Sequence, residues 1–294
     1  MKVIGVIPAR YASVRFPGKP LALLAGRPMV LHVLAAARAA RRLDFVLVAT
    51  DDARIADVVR ESGGEALLTS PDAATGTDRL AEAARRVAGD VYVNVQGDEP
   101  LMPPENVDLV VETLLASRDR EIATIALPAI GEAAARDPNV VKVAVAGDGR
   151  ALYFSRAPIP YARSGESAYR KHLGLYAYRA ETLSKLGELL PSPLEKLESL
   201  EQLRWLEAGW SIWVGEAVGD SIGVDTPEDL ARAEKILESR GDRSRGPAPA
   251  TELARGDRPE QVAGTGPEGA CTRNSQGPAP ATAKALHPPR FRND

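Results

Sequence analysis

Sulfur and imidazole chemistry have little to draw on in this chain. Its 294 residues include one cysteine, Cys271, and three histidines, so an intramolecular disulfide is excluded and a zinc cluster of Cys and His ligands is unavailable. An excess of one charge is also missing. With 37 basic and 40 acidic side chains the net charge is −3, too weak a field to argue for a nucleic-acid or membrane partner. No long apolar run is present at the start either: Met1 to Ile7 breaks at Pro8 and Arg10, well short of a signal h-region or a membrane span. The spacing G-x-x-x-x-G-K-[ST] is absent, which removes the P-loop route to nucleotide hydrolysis. What remains is a cytoplasmic protein with a small-molecule partner, whose chemistry rests on carboxylates and bases.

What is present is a repeating alternation. Lys2–Ile7 is apolar and β-branched and stops at Pro8, the pattern of a buried parallel strand. A loop over 9–20 follows, then an Ala/Leu-rich helix over Pro28–Arg41 with proline in its first turn. Strands are expected at Phe45–Thr50, Ala66–Thr69, Val91–Val95 and Ile122–Leu127, separated by helices at Asp52–Glu61, Asp78–Ala88 and from Pro103–Pro104 to about Ala116. Repeated βαβ units imply an α/β fold with a mostly parallel sheet flanked by helices. Over about 140–180 the texture changes to shorter strands, Val140–Val145, Ala151–Ser155 and His172–Tyr178, joined by Gly- and Pro-bearing turns. This region reads as an inserted small lobe of mixed strands. A helical pattern returns over Pro193–Ala208, followed by a strand at Trp210–Glu216 and a helix from Pro227 to about Ser239. The folded domain is therefore expected over 1–240. From Gly241 the last 54 residues hold 8 prolines and 7 glycines but only four Leu, Val or Phe, and the hexamer Gly-Pro-Ala-Pro-Ala-Thr occurs twice, at 246–251 and 277–282. Such a composition cannot bury enough apolar surface to offset the ordering entropy, so 241–294 reads as a disordered low-complexity tail.

Four segments carry candidate chemistry. The loop after the first strand bears Arg10, Arg15 and Lys19 at the carboxyl end of a parallel strand, where open α/β sheets place ligands. Arginine grips phosphate oxygens through two parallel donors, lysine adds a compact charge, and Gly18 allows close backbone approach, which together suit a triphosphate. After Val91–Val95 comes Gln96-Gly97-Asp98-Glu99-Pro100. Asp98 then points into the same crevice as a ligand for a hard divalent ion such as Mg²⁺, completed by substrate phosphates. Asp225, in Gly223-Val224-Asp225-Thr226-Pro227, serves either as the cap of the last helix or as a second metal ligand. Thr75-Gly76-Thr77-Asp78-Arg79 opens a helix either as an ordinary cap or as a site for an anion or base edge.

Five separated segments, Ile7–Pro20, Asn94–Pro100, Ala151-Leu152-Tyr153-Phe154-Ser155-Arg156, Lys171-His172-Leu173-Gly174 and Gly223–Leu230, closely resemble CMP-Kdo synthetases and occur in the family's order, the likeness spanning about residues 2–238. The resemblance implies a nucleotide-diphospho-sugar transferase fold, CTP as donor, Mg²⁺ as cofactor, and a homodimer built partly through the inserted lobe. It further implies that Arg10, Ser13, Arg15 and Lys19 hold the triphosphate, that Gly76, Arg79 and Gln96 hold the cytidine, and that Asp98 and Asp225 hold metal. Arg10, Lys19, Asp98 and Asp225 would then carry catalysis. The sugar pocket would fall on Arg156, His172, Tyr176, Glu201 and Gln202. The expected reaction is attack by the C2 hydroxyl of Kdo (3-deoxy-manno-octulosonate) on the α-phosphorus of CTP, yielding CMP-Kdo for lipopolysaccharide synthesis. Rival readings are another acid sugar, such as 8-amino-Kdo or sialic acid, and a catalytically silent nucleotide-binding scaffold. His172 could equally be a structural hydrogen-bonding residue.

Overall fold

The computed structural model describes residues 1–12, 15–73, 75–163 and 168–239; the tail expected beyond Gly241 lies outside them. Its hub is β1 (Val3–Ala9), a strand covered on both faces. Side chains alternate along a strand with period two. Val3, Ile7 and Ala9 accordingly enter one apolar cluster and Ile4 and Val6 the other, which is why the segment reads as a continuous apolar run rather than an amphipathic one.

A hairpin of β2 (Leu23–Leu24) and β3 (Arg27–Pro28) leads into α1 (Met29–Ala39), then β4 (Phe45–Thr50), α2 (Ala53–Glu61) and β5 (Glu65–Leu68). The hairpin is a small antiparallel sheet of its own, while β4 and β5 build the main sheet outward from one edge of β1, both parallel. Helix α3 (Gly76–Arg86) crosses back to β6 (Val91–Asn94), which pairs with the other edge of β1, again parallel. Strand order reverses between β1 and β6, and that reversal opens a crevice at their carboxyl ends.

Beyond β6 come α4 (Pro104–Leu115), β7 (Ile122–Ile130), α5 (Glu132–Arg136), β8 (Lys142–Val145), β9 (Ala151–Ser155), β10 (Tyr169–Arg179), α6 (Ala180–Leu186), α7 (Pro193–Glu198), α8 (Gln202–Glu207), β11 (Ile212–Glu216) and α9 (Pro227–Ser239). The principal path of the sheet runs β11-β7-β10-β6-β1-β4-β5, with β8 and β9 attached through β10. Here the structure refines the expected inserted lobe. The β8–β9 hairpin extends from the sheet, whereas β10 lies inside it, antiparallel to both β6 and β7. The helical pattern over 193–208 is two helices, not one. Ser199 takes a left-handed conformation, φ 52°, which a continuing right-handed helix cannot absorb. Among the described residues, no helix is long and apolar enough to cross a membrane.

Candidate active site

Two cavities of about 400 and 690 Å³ open at the carboxyl edge of the sheet. The first lies between the loops after β1 and β6. These loops run in close contact: a β-carbon on Gly97 would sit 2.3 Å from the carbonyl oxygen of Pro8, so any side chain there would force the two apart. Gly18, at φ 71°, makes the turn that presents Lys19, and its amide donates to the Tyr11 carbonyl at 3.0 Å.

Asp98 and Asp225, 127 positions apart in number, converge on one cation. The Lys19 ammonium donates to Asp98 Oδ2 at 2.9 Å and to Asp225 Oδ1 at 3.1 Å, and Arg15 reaches Asp225 Oδ2 at 3.0 Å. The backbone reinforces the convergence, because the amide of Val224 donates to the Asp98 carbonyl at 2.8 Å. The capping role considered for Asp225 falls to its neighbours. Thr226 and Asp229 cap each other across the first turn of α9, with the Asp229 amide donating to Thr226 Oγ1 and the Thr226 amide to Asp229 Oδ2, the reciprocal arrangement of a capping box. The Asp225 carboxylate is thereby left for the cavity. Two carboxylates already gathered around one point charge suit a small hard cation that takes one or two carboxylates and fills its remaining positions with water and phosphate oxygens. Among the described residues, no cluster of three or more His, Cys, Asp or Glu offers a fuller protein cage.

On the opposite wall, Thr75 and Asp78 form a second capping box at the start of α3. The cap is thus present, and Gly76 and Arg79 also line the first cavity. The Arg79 side chain is only 3% exposed and is paired with Asp51 at 3.0 Å, while its other nitrogen donates to Thr69. Arg10 lines the same cavity, is exposed, and makes no ion pair with any described residue. Ser13 lies outside the described residues.

The second cavity is built from β10, the turn after α5 and the segment joining α7 to α8. His172, Tyr176, Glu201 and Gln202 line it, but Arg156 does not. The Arg156 guanidinium is turned to the carbonyls of Pro138 and Glu198, both at 2.8 Å, and of Ser199. Thr77, Asn94, Glu99 and Lys171, from the strings already noted, complete the wall with Tyr178 and Trp205, which no motif announces. Seven buried polar atoms here have no hydrogen-bond partner: Asn94 Oδ1, Glu99 Oε2, Tyr176 OH, Tyr178 OH, Gln202 Nε2, Trp205 Nε1 and Ser221 Oγ. Some lie near one another, Tyr178 by Thr77 and Asn94, and Ser221 by Glu99, but not in bonding geometry. Because buried polar groups are costly when unsatisfied, this wall is suited to a ligand rich in hydroxyls.

Electrostatics divide the second cavity further. Burial, with the neighbouring Asp98 charge, pushes the Glu99 carboxyl up to about 7. Burial also raises Glu201, against a stabilising bond from Thr77 Oγ1 at 2.8 Å. It keeps both tyrosines firmly protonated and drives His172 down to about 3. His172 is therefore neutral. Its Nε2 lies 3.1 Å from Thr124 Oγ1 and its ring packs edge-on against Phe154, so it has a structural bond as well as a face on the cavity. Arg15, Gln96, Asp98 and Asp225 line both cavities. Gln96 is held there by donating to the Gly174 carbonyl at 2.8 Å.

Comparison with known proteins gives a consistent set of likenesses. The family model described as "Cytidylyltransferase" matches residues 4–214. A 3-deoxy-manno-octulosonate cytidylyltransferase of Syntrophobacter fumaroxidans is 51% identical over 243 residues, covering 81% of this chain and 97% of that protein. One of Anaeromyxobacter dehalogenans (strain 2CP-C) is 50% identical over 236 residues, covering 79% and 96%. Among solved structures, a CMP:2-keto-3-deoxy-manno-octonic acid synthetase complexed with CTP superimposes with a TM-score of 0.79 at 42% identity, covering 82% of this chain and all of that one. A glucose-1-phosphate thymidylyltransferase from Bacillus anthracis, at 19% identity and a TM-score of 0.59 over 80% of this chain and 94% of its own, shares the fold.

Proposed function

The chain belongs to the 3-deoxy-manno-octulosonate cytidylyltransferase family, nucleotidyltransferases that activate Kdo with CTP to give CMP-Kdo and pyrophosphate for lipopolysaccharide synthesis, and we propose that its two joined cavities carry out this transfer. The observation that carries the reading is the junction: the cavities share the wall formed by Arg15, Gln96, Asp98 and Asp225. Displacement at phosphorus needs attacking oxygen, phosphorus and leaving oxygen nearly in line. A nucleotide in one cavity and a sugar in the other meet that need with the α-phosphate at the junction.

In this assignment Arg10, Arg15 and Lys19 receive the triphosphate, while Gly76, Arg79 and Gln96 face the cytidine. The unpaired phenols, amide and indole of the second cavity read the sugar hydroxyls. Of the cations lining that cavity, Arg15, Lys171 and Arg232 are paired with Asp225, Asp220 and Asp229 and would meet the sugar carboxylate from those pairs; Arg156, outside the lining, is held by three carbonyls. The C2 hydroxyl attacks the α-phosphorus and gives up its proton to solvent, the bond from that phosphorus to the bridging oxygen breaks, and pyrophosphate departs with its charge held by the cationic loop. Preorganised charge of this kind supplies most of the acceleration in such transfers. Asp98 and Asp225 are the residues that would hold Mg²⁺, which when bound adds positive charge against the triphosphate. His172 is too weakly basic to take the hydroxyl proton.

Under the same proposal the protein is a cytoplasmic homodimer. Supporting a partner surface in the 140–180 region, Leu152 on β9 is 64% exposed and Tyr161 is 87% exposed. The activity is tested by incubating the full chain with CTP, Mg²⁺ and each of Kdo, 8-amino-Kdo and sialic acid, following pyrophosphate. Release with Kdo is expected. Preference for another acid sugar would reassign the second cavity, and no release with any of them would contradict the assignment.

A further inference from the structure

Asp51 has no part in any of the motifs above. It is the first residue beyond β4, at the carboxyl edge of the sheet, and its side chain is 15% exposed. Its two oxygens face two different pieces of the first cavity. Oδ2 accepts from the Arg79 guanidinium at 3.0 Å, and Oδ1 accepts from the backbone amide of Tyr11 at 3.4 Å. Arg79 stands one turn into α3, on the wall assigned to the base. Tyr11 belongs to the loop that delivers the triphosphate cations, and its carbonyl in turn accepts the amide of Gly18, the turn residue before Lys19.

We propose that Asp51 is a positioning residue for nucleotide binding, holding the base wall and the triphosphate loop at a fixed separation through one carboxylate. The physical case rests on what Arg79 would do without it. Its ion pair among the described residues is the one with Asp51; Thr69 and Ser70 offer it only neutral acceptors. A guanidinium is planar, and a carboxylate opposite it fixes both the place and the plane of its donors. A buried cation deprived of that partner turns toward water or the nearest anion, which here means into the cavity. The loop end loses an anchor at the same time.

This inference rests on the reading that the first cavity takes CTP, and the experiment separates the two. The full chain is compared with Asp51→Asn, which removes the charge at constant shape, and Asp51→Glu, which keeps the charge but displaces it by one methylene. In Asp51→Asn the KM for CTP is expected to rise about tenfold or more, with kcat within about threefold and the KM for the acid sugar within about twofold, the split that marks lost uniform binding of one substrate. Preference for CTP over UTP should fall in parallel. Asp51→Glu should show the same split in weaker form, and it decides the matter if the Asn variant does not fold. A CTP KM within about twofold of wild type in the folded variants, or equal rises for both substrates tracking a lower Tm, would overturn the inference and leave the function standing. Wild-type protein that does not turn over CTP with any acid sugar would overturn both.

Discussion

The two cavities are made in opposite ways. In the first, charge is concentrated and largely balanced: Lys19 between Asp98 and Asp225, Arg15 on Asp225, Arg79 on Asp51. None of its described lining residues leaves a buried polar side-chain atom unpaired. In the second, seven buried polar atoms have no partner, around an aromatic cluster in which Trp205 meets Tyr176 and Tyr178 edge-on at 5.3 and 5.6 Å. The difference suits the ligands proposed for them. A triphosphate is bound by charge, which a protein can neutralise internally while it waits. Neutral hydroxyls are bound by directional bonds that a rigid wall must leave open in advance. A site for joining the two substrates needs both kinds of wall, touching.

Substitutions can break or sharpen that contrast. The largest effect is expected at the shared wall. Asp98→Ala should lower kcat by about a thousandfold or more with an unchanged circular-dichroism spectrum, because it removes one of two carboxylates at the point of transfer; pyrophosphate release near the wild-type rate at limiting Mg²⁺ would remove Asp98 from that role. On the nucleotide side alone, Lys19→Met should weaken CTP handling by roughly a hundredfold in kcat/KM while leaving the KM for the sugar nearly constant. Unchanged CTP kinetics would take Lys19 out of the cation set. On the sugar side alone, Tyr176→Phe should raise the sugar KM by about fivefold to tenfold and spare the CTP KM, since a phenol without a protein partner has its value only in the ligand. An equal effect on both substrates would erase the division between the cavities.

The smallest effect concerns acid stability. Burial holds His172 near 3 in the folded state, against about 6.5 in an unfolded chain. Below pH 6.5 the unfolded state takes up a proton that the folded state refuses, so stability is lost as pH falls from about 6.5 toward 3. His172 keeps some surface on the cavity, which limits the loss to about 1–2 kcal/mol by pH 4. His172→Asn should show a shallower fall in Tm over that range; an identical slope would mean that His172 does not contribute to it.

The same contrast explains what could be read before any coordinates. The parallel strands announce themselves as apolar, β-branched runs, and the first cavity hangs on contiguous strings at their carboxyl ends, so Arg10, Arg15, Lys19, Gln96, Asp98 and Arg79 all appear on its lining. The antiparallel seat of β10 between β6 and β7 was not legible, because periodicity reports which residues face inward but not which strand lies alongside. The break at Ser199 escaped too: a serine in the left-handed region carries no composition signal. Helices α5 and α6 are short and weakly patterned. In the second cavity, Asn94, Thr77 and Glu99 sit in strings whose chemistry was attached to their neighbours, Trp205 arrives alone from α8, and Asp51 makes its contacts across 28 and 40 positions of chain. Lone residues of this kind acquire meaning only when the fold places their partners beside them. Arg156 shows the converse, since a motif put it forward for the sugar and the fold gives its guanidinium to three carbonyls.

The central claim is that one shared wall serves two ligand sites, and its most direct test is a crystal structure of the full chain with Mg²⁺, Kdo and a CTP analogue carrying a methylene group between the α- and β-phosphorus atoms. The account predicts the α-phosphate against Arg15, Gln96, Asp98 and Asp225, the base beside Arg79, and the sugar among Tyr176, Gln202 and Trp205 with its C2 hydroxyl facing phosphorus. A sugar bound outside the second cavity, or an α-phosphate lying away from both aspartates, would contradict it.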